Sequence, residues 1–117
     1  MKIYKTQKEV DADTRDGVLE VNGDVIFEFP LITSASLKIV GNISARNLLA
    51  NDISAHNISA HDITAGGNIT AVDITAKGNI SFYAVAFAYC SFTCKSIKGR
   101  RKNSKYFCLD GNVEIKG

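Results

Sequence analysis

Large apolar residues recur every five or six positions through the middle of the chain, and polar residues flank each of them. Typical units read ISAHN, ISAHD and ITAVD, with alanine two positions after the large residue in most repeats. Asparagine or aspartate always stands directly before it. The large residues are Ile43, Leu48, Ile53, Ile58, Ile63, Ile69, Ile74 and Ile80. The middle of the chain is therefore an internal repeat of very short period.

An α-helix cannot bury this pattern, because a step of five residues rotates successive isoleucines by about 500° and spreads them around the helix. In every unit except the one at Leu48, the two apolar residues are separated by one serine or threonine, which is strand periodicity and puts both on one face. Asparagine, aspartate and glycine favour turns. Each unit therefore predicts a short strand followed by a corner, and stacked units form a solenoid. We expect four units to close one coil, so that Ile63 stacks on Ile43 and Val85 stacks on Ile63.

This pattern resembles the pentapeptide-repeat proteins, in which Asn or Asp precedes a central large residue and a small inward residue lies two positions before it. Here the central residue is mostly isoleucine, and the alanine follows it by two positions, as in Ile58 and Ala60. The resemblance implies an all-β fold, a right-handed quadrilateral β-helix. Together with the tail FYAVAFAYCSFTCKSIKGRRKNSKYFCLDG, the repeats also resemble small hypothetical proteins from phages and prophages of Gram-positive bacteria. That second resemblance transfers no activity to individual residues.

The flanks of the repeat predict that the coil continues within a single domain, residues 1–117. We divide it into an N-terminal segment (1–17), a first coil or cap (18–42), the repeat coils (43–94), and a basic loop with a closing hairpin (95–117). Residues 18–27 predict either two short strands around an Asn-Gly turn or a widened first coil. The closing hairpin is expected around Asp110 and Gly111, which completes an aromatic and basic C-terminal cap.

The composition is that of a soluble globular protein. The chain has 117 residues, of which 45% are hydrophobic and 22% are charged, with a net charge of +2. This length is enough for one hydrophobic core. The sequence contains no apolar run long enough for a membrane helix, and it does not begin with a signal-peptide pattern. We therefore expect a cytoplasmic protein, located in the host cytoplasm if a phage encodes it, with three free cysteines.

Positive charge is concentrated in the C-terminal third. Residues 1–40 carry five Lys and Arg against seven Asp and Glu, residues 41–80 carry two against three, and residues 81–117 carry seven against two, a net +5. Six of these cations fall close together and predict either an anion-binding or partner-binding site or a solvated loop. They are Lys95, Lys98, Arg100, Arg101, Lys102 and Lys105. The adjacent Tyr106 and Phe107 favour a nucleic-acid-facing surface, without any specific motif.

Two histidines and three cysteines are candidate metal ligands. His56 and His61 occupy the most variable position of the repeat and are expected on adjacent outer faces around one corner; zinc needs three or four ligands, so surface variation is favoured over a metal site. Cys90, Cys94 and Cys108 lack paired C-x₂-C spacing, and Cys90 is expected to be a buried thiol. A catalytic cysteine would need a nearby base. We therefore predict no metal, no cofactor and no catalytic residue.

The segment after Ile80 predicts a contact surface. Extending the five-residue spacing puts Val85, Phe87 and Cys90 inside the coil, and the outward residues then form an apolar face. Such a face predicts a homodimer through the C-terminal coil or, equally, a surface covered by the closing hairpin. The predicted contact residues are Tyr83, Ala84, Ala86, Ala88 and Tyr89.

These observations favour a binding protein over an enzyme. The phage resemblance implies an inhibitor or decoy that occupies a host protein or ribonucleoprotein complex of defence or nucleic-acid processing, in the manner of anti-CRISPR proteins. Some pentapeptide-repeat relatives mimic duplex DNA, but residues 41–80 carry a net charge of only −1, which disfavours mimicry. Two alternatives stay open: a sponge that binds an anionic nucleotide signal with the basic run, and a structural module that polymerises through exposed coils, as in bactofilin-like β-helices.

Overall fold

The computed structural model describes residues 2–111 and 113–115, and these residues form one short helix and sixteen strands. In chain order the elements are β1 (Lys2–Tyr4), α1 (Gln7–Asp13), β2 (Val18–Val21), β3 (Val25–Phe27), β4 (Leu31–Ile32), β5 (Ser36–Ile39), β6 (Ile43–Ala45), β7 (Asn47–Ala50), β8 (Ile53–Ser54), β9 (Asn57–Ala60), β10 (Asp62–Ala65), β11 (Ile69–Ala76), β12 (Asn79–Phe82), β13 (Val85–Cys94), β14 (Ser96–Gly99), β15 (Lys105–Cys108) and β16 (Val113–Ile115).

The paired strands run parallel and form the three faces of a solenoid of about six turns. Face 1 consists of β2, β5, β8, the first halves of β11 and β13, and β15. Face 2 consists of β1, β3, β6, β9, the second halves of β11 and β13, and β16. Face 3 consists of β4, β7, β10, β12 and β14. The predicted all-β solenoid is therefore confirmed.

Three repeat units close one coil, so the predicted quadrilateral cross-section is wrong. Ile43 pairs with Ile58, fifteen residues later, and Ile58 pairs with Ile74, sixteen residues later. The predicted stacking of Ile63 on Ile43 is therefore also wrong. A five-residue period is compatible with three or four sides, and the interior must be close-packed in either case. Three Ile-Ala units supply little interior volume, which suits the smaller triangular cross-section. The right hand of the coil stays a prediction.

The large and small apolar residues of each repeat fill the interior. The eight large residues from Ile43 to Ile80 are each at most 1% exposed. The alanines that follow them are buried or half-buried. Complete burial of one such aliphatic side chain contributes about 1.5–3 kcal/mol. One hydrophobic cluster extends from Tyr4 to Cys94, and Val113 packs against it, so the coils share one core.

Aspartate, glycine and asparagine form a recurring bridge between successive coils. Asp52 Oδ1 accepts a hydrogen bond of 2.8 Å from the backbone N–H of Asn68 in the next coil. Gly67, directly before Asn68, lies against this carboxylate, and a Cβ at Gly67 would overlap Asp52 Oδ1. Two further pairs repeat the bridge at 2.8 Å, Asp24 with Asn42 and Asp62 with Asn79. The Gly-Asn units thus add one residue to a coil while a side chain satisfies the backbone N–H.

Helix α1 closes the N-terminal end of the solenoid, and it was missed in the sequence analysis. The signal was present as a capping box, Thr6-Gln7-Lys8-Glu9. The backbone N–H of Glu9 donates to Thr6 Oγ1 at 3.3 Å, and the Glu9 carboxylate accepts from the Thr6 N–H at 3.1 Å. Val10 of the helix is fully buried in the core. The predicted N-terminal segment therefore acts as an end cap.

A polar cluster fastens this cap to the first strands. The Tyr4 hydroxyl donates to Asp13 Oδ2 at 2.8 Å, and Lys2 Nζ lies 3.3 Å from the same oxygen. The bond from Tyr4, together with Lys2, lowers the pKa of Asp13. Burial, together with the bond to Asp13, raises the pKa of Tyr4. The Tyr4 ring also stacks on Phe27 with centroids 5.5 Å apart.

The chain ends expected from sequence are only partly right. Strands β2 and β3 are the two predicted short strands around Asn22-Gly23, and they pair in parallel with β5 and β6 as part of the coil. The closing hairpin is wrong, because β15 and β16 both pair in parallel with β13. A turn signal such as Asp110-Gly111 also suits a corner, and the edge of β13 offers hydrogen bonds to both strands. Residues 112, 116 and 117 of the predicted hairpin lie outside the described residues.

Candidate anion-binding surface

The basic residues are spread around the C-terminal coils on two corners and two faces. Lys95 lies at the corner between faces 2 and 3, and Lys98 lies on the outside of face 3. Arg100 and Arg101 turn the corner between faces 3 and 1, Lys102 follows in the turn, and Lys105 begins β15 on face 1. All six are exposed. The structure therefore arranges the predicted run as a basic belt around part of the solenoid.

Arg100 differs from the other members of the basic belt. Its guanidinium donates to the carbonyl oxygen of Ala65, two coils nearer the N-terminus. Its backbone N–H donates to the Phe82 carbonyl at 2.9 Å, and the Arg101 N–H donates to the Tyr83 carbonyl at 2.9 Å. The Arg100 side chain thus bonds the turn to the corner at Ala65. The charged groups of the neighbouring Arg101 and Lys102 are exposed and available to a partner.

A change of side-chain size positions this turn. Phe82 occupies the alanine position of its repeat and is fully buried. Gly99 pairs with Phe82 in the next coil, and a Cβ at Gly99 would come within 2.9 Å of the Phe82 ring and overlap Ser104. Tyr106 covers the same ring edge-on at 6.4 Å. Glycine beside the Phe82 ring keeps the coils stacked at the point where a large residue replaces the alanine of the repeat.

The interior and exterior of β13 are the reverse of the prediction. Ala86 and Ala88 are 0% exposed and face the core, whereas Phe87 is half-buried on the outside and Cys90 is exposed. The repeat lengthens here, since Ala86 pairs with Ile69 seventeen residues earlier. A one-residue shift moves every side chain of a strand to the opposite face. The inward alanines also leave interior space for the large Phe82 and Phe92 rings.

Of the predicted contact residues, Tyr83 and Tyr89 are exposed at corners, and Ala84, Ala86 and Ala88 are buried. The apolar surface at this end is instead aromatic. Phe87 lies 4.8 Å from Phe107 and 5.2 Å from Tyr89 between ring centroids. We call these three residues the aromatic face. Tyr89 is 48% exposed and Phe107 is 43% exposed, so two of the rings are available to a partner.

The aromatic face and the basic belt meet on β15. Lys105 and Phe107 are two positions apart on one strand, and their side chains therefore project to the same side. Lys105 pairs with Val85 and Phe107 pairs with Phe87 across the outside of face 1. Tyr106, between them, points into the last coil, where it contacts Phe82 and Phe92. The structure thus brings a cation beside exposed rings, which the sequence indicated only as neighbours in the chain.

The histidines and cysteines do not converge. His56 and His61 lie at different corners on opposite sides of β9, which corrects the expected placement around one corner. Cys94 is the buried thiol, and burial raises its pKa; Cys108 is half-buried. The predicted burial of Cys90 is wrong. Within residues 2–111 and 113–115, no three His, Cys, Asp or Glu side chains are grouped to hold a metal ion.

The part of the chain that the structure describes contains no helix long and apolar enough to cross a membrane. No protein family matches this chain, and neither a curated protein nor a solved structure is significantly similar to it. The resemblance to phage proteins therefore stays a prediction. The five-residue units are compatible with a pentapeptide-repeat-like β-helix, and the stacked parallel strands identify the fold as a β-solenoid of about six turns.

Proposed function

We propose that this protein is a non-enzymatic binding protein that holds single-stranded nucleic acid on the outside of its C-terminal coils. The observation that carries the proposal is the edge-to-face pair of rings, Phe87 and Phe107, with Lys105 on the same outer surface. Proteins that bind single strands combine aromatic side chains, on which bases stack, with cations that follow the phosphates. An exposed aromatic cluster of this kind is otherwise costly in water.

The cations beside the aromatic face supply the electrostatic part of the proposal. The turn that leads onto β15 exposes Arg101 and Lys102, and Lys105 is exposed at the first position of β15. Lysine and arginine that neutralise phosphates release counterions, so binding weakens steeply as salt rises. The surface lacks any base-reading motif, and we therefore expect it to bind strands of any base sequence. Comparison of an RNA strand with a DNA strand measures its preference for the sugar.

The test is binding of fluorescein-labelled dT₁₂ and rU₁₂, measured by anisotropy over a salt series. Stacking on an aromatic side chain is typically worth about 1–3 kcal/mol per base. Phe107→Ala should therefore weaken binding by about 5- to 150-fold, since each 1.4 kcal/mol is a factor of about ten. Phe107→Tyr should retain binding, and Leu49→Ala on face 3 is the matched apolar control. Wild-type protein that binds neither oligomer, or Phe107→Ala that binds as well as wild type, would refute the proposal.

This activity is compatible with the inhibitor role expected from sequence. A protein that occupies the nucleic acid of a host ribonucleoprotein complex would block that complex without catalysis. Capture from host lysate, with and without RNase, tests the role, with Phe107→Ala as the control bait. Recovery of a host complex by both wild type and Phe107→Ala would place the contact elsewhere on the solenoid.

The nucleotide-sponge alternative uses the same cations and is separated by competition. A sponge predicts that a cyclic dinucleotide or a short cyclic oligonucleotide displaces dT₁₂ at stoichiometric amounts, whereas a single-strand binder predicts weak displacement. Arg101→Ala is a better probe than Arg100→Ala, because the Arg100 guanidinium is bonded to the Ala65 carbonyl.

A second candidate function is end-to-end assembly, which the C-terminal edge favours. Among the described strands, β15 pairs only with β13, so it has an unpaired edge. Interior-facing Tyr106 and Ile115 of this last coil are 42% and 49% exposed. An open edge is a template for pairing with another chain, and symmetric dimers are the commonest result. Light scattering distinguishes a discrete homodimer from a polymer and from a monomer.

A further inference from the structure

One corner of the solenoid carries a column of basic residues, of which only Lys95 belongs to the basic run of the sequence. Arg46, His61, Lys77 and Lys95 occupy the corner between faces 2 and 3 in four successive coils. The His61 N–H donates to the Arg46 carbonyl at 2.8 Å, and the Lys95 N–H donates to the Gly78 carbonyl at 2.8 Å. Coils stack at about 4.8 Å, so the column is about 14 Å long. We call it the basic corner.

A groove runs beside the basic corner on the outside of face 2. One part, about 350 Å³, is lined by Ser44, Ser59, Arg46 and His61 together with Lys77. The next part, about 330 Å³, is lined by Thr75, Thr93, Lys77 and Lys95. Lys77 lines both parts, so the two parts adjoin at this side chain. The hydroxyl residues are in register, with Ser44 on Ser59, Ser59 on Thr75, and Thr75 on Thr93.

The charge of the groove is one-sided. Its described lining residues include three cations and one histidine and no carboxylate. A carboxylate marks the N-terminal end of the groove, since Glu28 precedes Arg46 at this corner. Toward face 3, the Asp62 carboxylate accepts a hydrogen bond from the Asn79 N–H. An anionic chain that follows the cations would leave the groove at Lys95 and turn across face 3 toward Lys98.

The chemistry of the groove suits a sugar-phosphate backbone. Hydroxyl groups, lysine and arginine make most protein contacts to phosphate oxygens, and these contacts position a strand without reading its bases. The described residues that line the groove include no Phe, Tyr or Trp, so base stacking is assigned mainly to the aromatic face. The aromatic face lies beyond the basic belt, past Lys98 and Arg101. The groove would thus contact the backbone of a strand, and the aromatic face would contact its bases.

We infer that the basic corner binds the phosphate backbone of the same single strand whose bases stack on the aromatic face, with Lys95 and Lys98 joining the two. This inference rests on the proposed function and adds the path and length of the strand. The path combines the 14 Å column with the four residues of β14, which span about 13 Å. A strand that reaches the basic corner must be longer than one that covers the aromatic face alone. Both lengths are expected within the roughly 4 to 16 nucleotides of single-strand sites.

The experiment compares dT₅ and dT₁₆ on Arg46→Gln/Lys77→Gln and on a matched control, Lys8→Gln/Lys38→Gln, which removes two exposed cations elsewhere. Each lost phosphate contact on a single strand reduces the slope of log K against log salt by about 0.7. The corner variant should lose about 1.4 of slope with dT₁₆ and none with dT₅. The control should match wild type with both. An unchanged dT₁₆ slope in the corner variant overturns the inference.

A measurement on wild-type protein guards against a folding artefact. Lys77 and Lys95 should be protected from acetylation by dT₁₆ and not by dT₅, while Lys105 is protected by both. Failure of the two levels of proposal is distinguishable. If neither oligomer binds, the proposed function itself fails. If both bind with equal affinity and leave Lys77 open to acetylation, only the path along the basic corner is wrong.

Discussion

The Asp52 carboxylate accepts a 2.8 Å hydrogen bond from the backbone N–H of Asn68, one coil further along the solenoid. Gly67 permits this bond because a side chain there would overlap the carboxylate oxygen. We expect Gly67→Ala to displace Asp52 and to lower the free energy of unfolding by about 1.5–3 kcal/mol, the usual worth of a hydrogen bond to a charged group. Urea denaturation measures the change.

The neighbouring glycine is the matched control for this prediction. A Cβ at Gly66 would come no closer than 3.2 Å to Asn51 Oδ1, so Gly66→Ala should change stability by no more than about 0.5 kcal/mol. In an Asp52→Ala background, Gly67→Ala should also become nearly neutral, because the obstructing carboxylate is gone. Equal losses in both backgrounds would mean that glycine acts through the backbone and not through Asp52.

Ile63 tests the close packing of the interior. It is fully buried between Leu48 and Ile80 in successive coils. Ile63→Ala should lower the free energy of unfolding by about 2–5 kcal/mol, since it removes buried surface and leaves a cavity. Ile63→Asp should prevent folding. Leu49→Ala is the control, because Leu49 is 41% exposed on the outside of face 3. A small effect at Ile63 would contradict the observed register.

The cysteines test the reversal of β13. In native protein, an alkylating reagent should modify the exposed Cys90 first and Cys108 more slowly. Cys94 should react only in denaturant, because it is buried and burial also raises the pKa of its thiol, which reduces the reactive thiolate. Mass spectrometry of digested protein gives the order. Fast modification of Cys94 with protection of Cys90 would restore the face assignment expected from sequence.

The N-terminal cap predicts loss of stability in acid. Tyr4, then Lys2, hold the pKa of Asp13 below its ordinary value of 3.8 in the folded protein. A carboxyl whose folded pKa is lowered stabilises the protein above its unfolded pKa and loses that contribution as pH falls through the folded value. The difference in unfolding free energy between wild type and Asp13→Asn should therefore be constant above about pH 5 and should shrink below about pH 4.

The acid prediction needs a carboxylate that lies outside the cap. Glu20 is exposed on the outside of face 1, and Glu20→Gln serves as the control because it removes one charge of the same sign. Its difference from wild type should not follow the Asp13 profile. An Asp13→Asn difference that is flat between pH 7 and pH 2 would show that the cluster of Lys2, Tyr4 and Asp13 does not depend on the ionised carboxylate.

Local periodicity was sufficient to predict strands, corners and an inward isoleucine or leucine in every repeat from Ile43 to Ile80. Alternation within Ile-Ser-Ala is a local property, and turn residues mark each corner without reference to the rest of the chain. The basic run from Lys95 to Lys105 was also visible. The basic corner was not predicted, because Arg46, His61 and Lys77 are far apart in the sequence and align with Lys95 only when three units close a coil.

The sequence by itself determined that the chain coils, which residues of the regular repeats face inward, and that positive charge collects near the C-terminus. Only the tertiary structure decided how many units close a coil, because that number depends on how side chains from distant units fill one interior. It also decided the faces of β13, where the lengthened repeat shifted the strand by one residue and the Phe82 and Phe92 rings took space left by Ala86 and Ala88. The surfaces proposed to bind a partner depend on this long-range packing, because it sets which side chains lie next to each other on the outside.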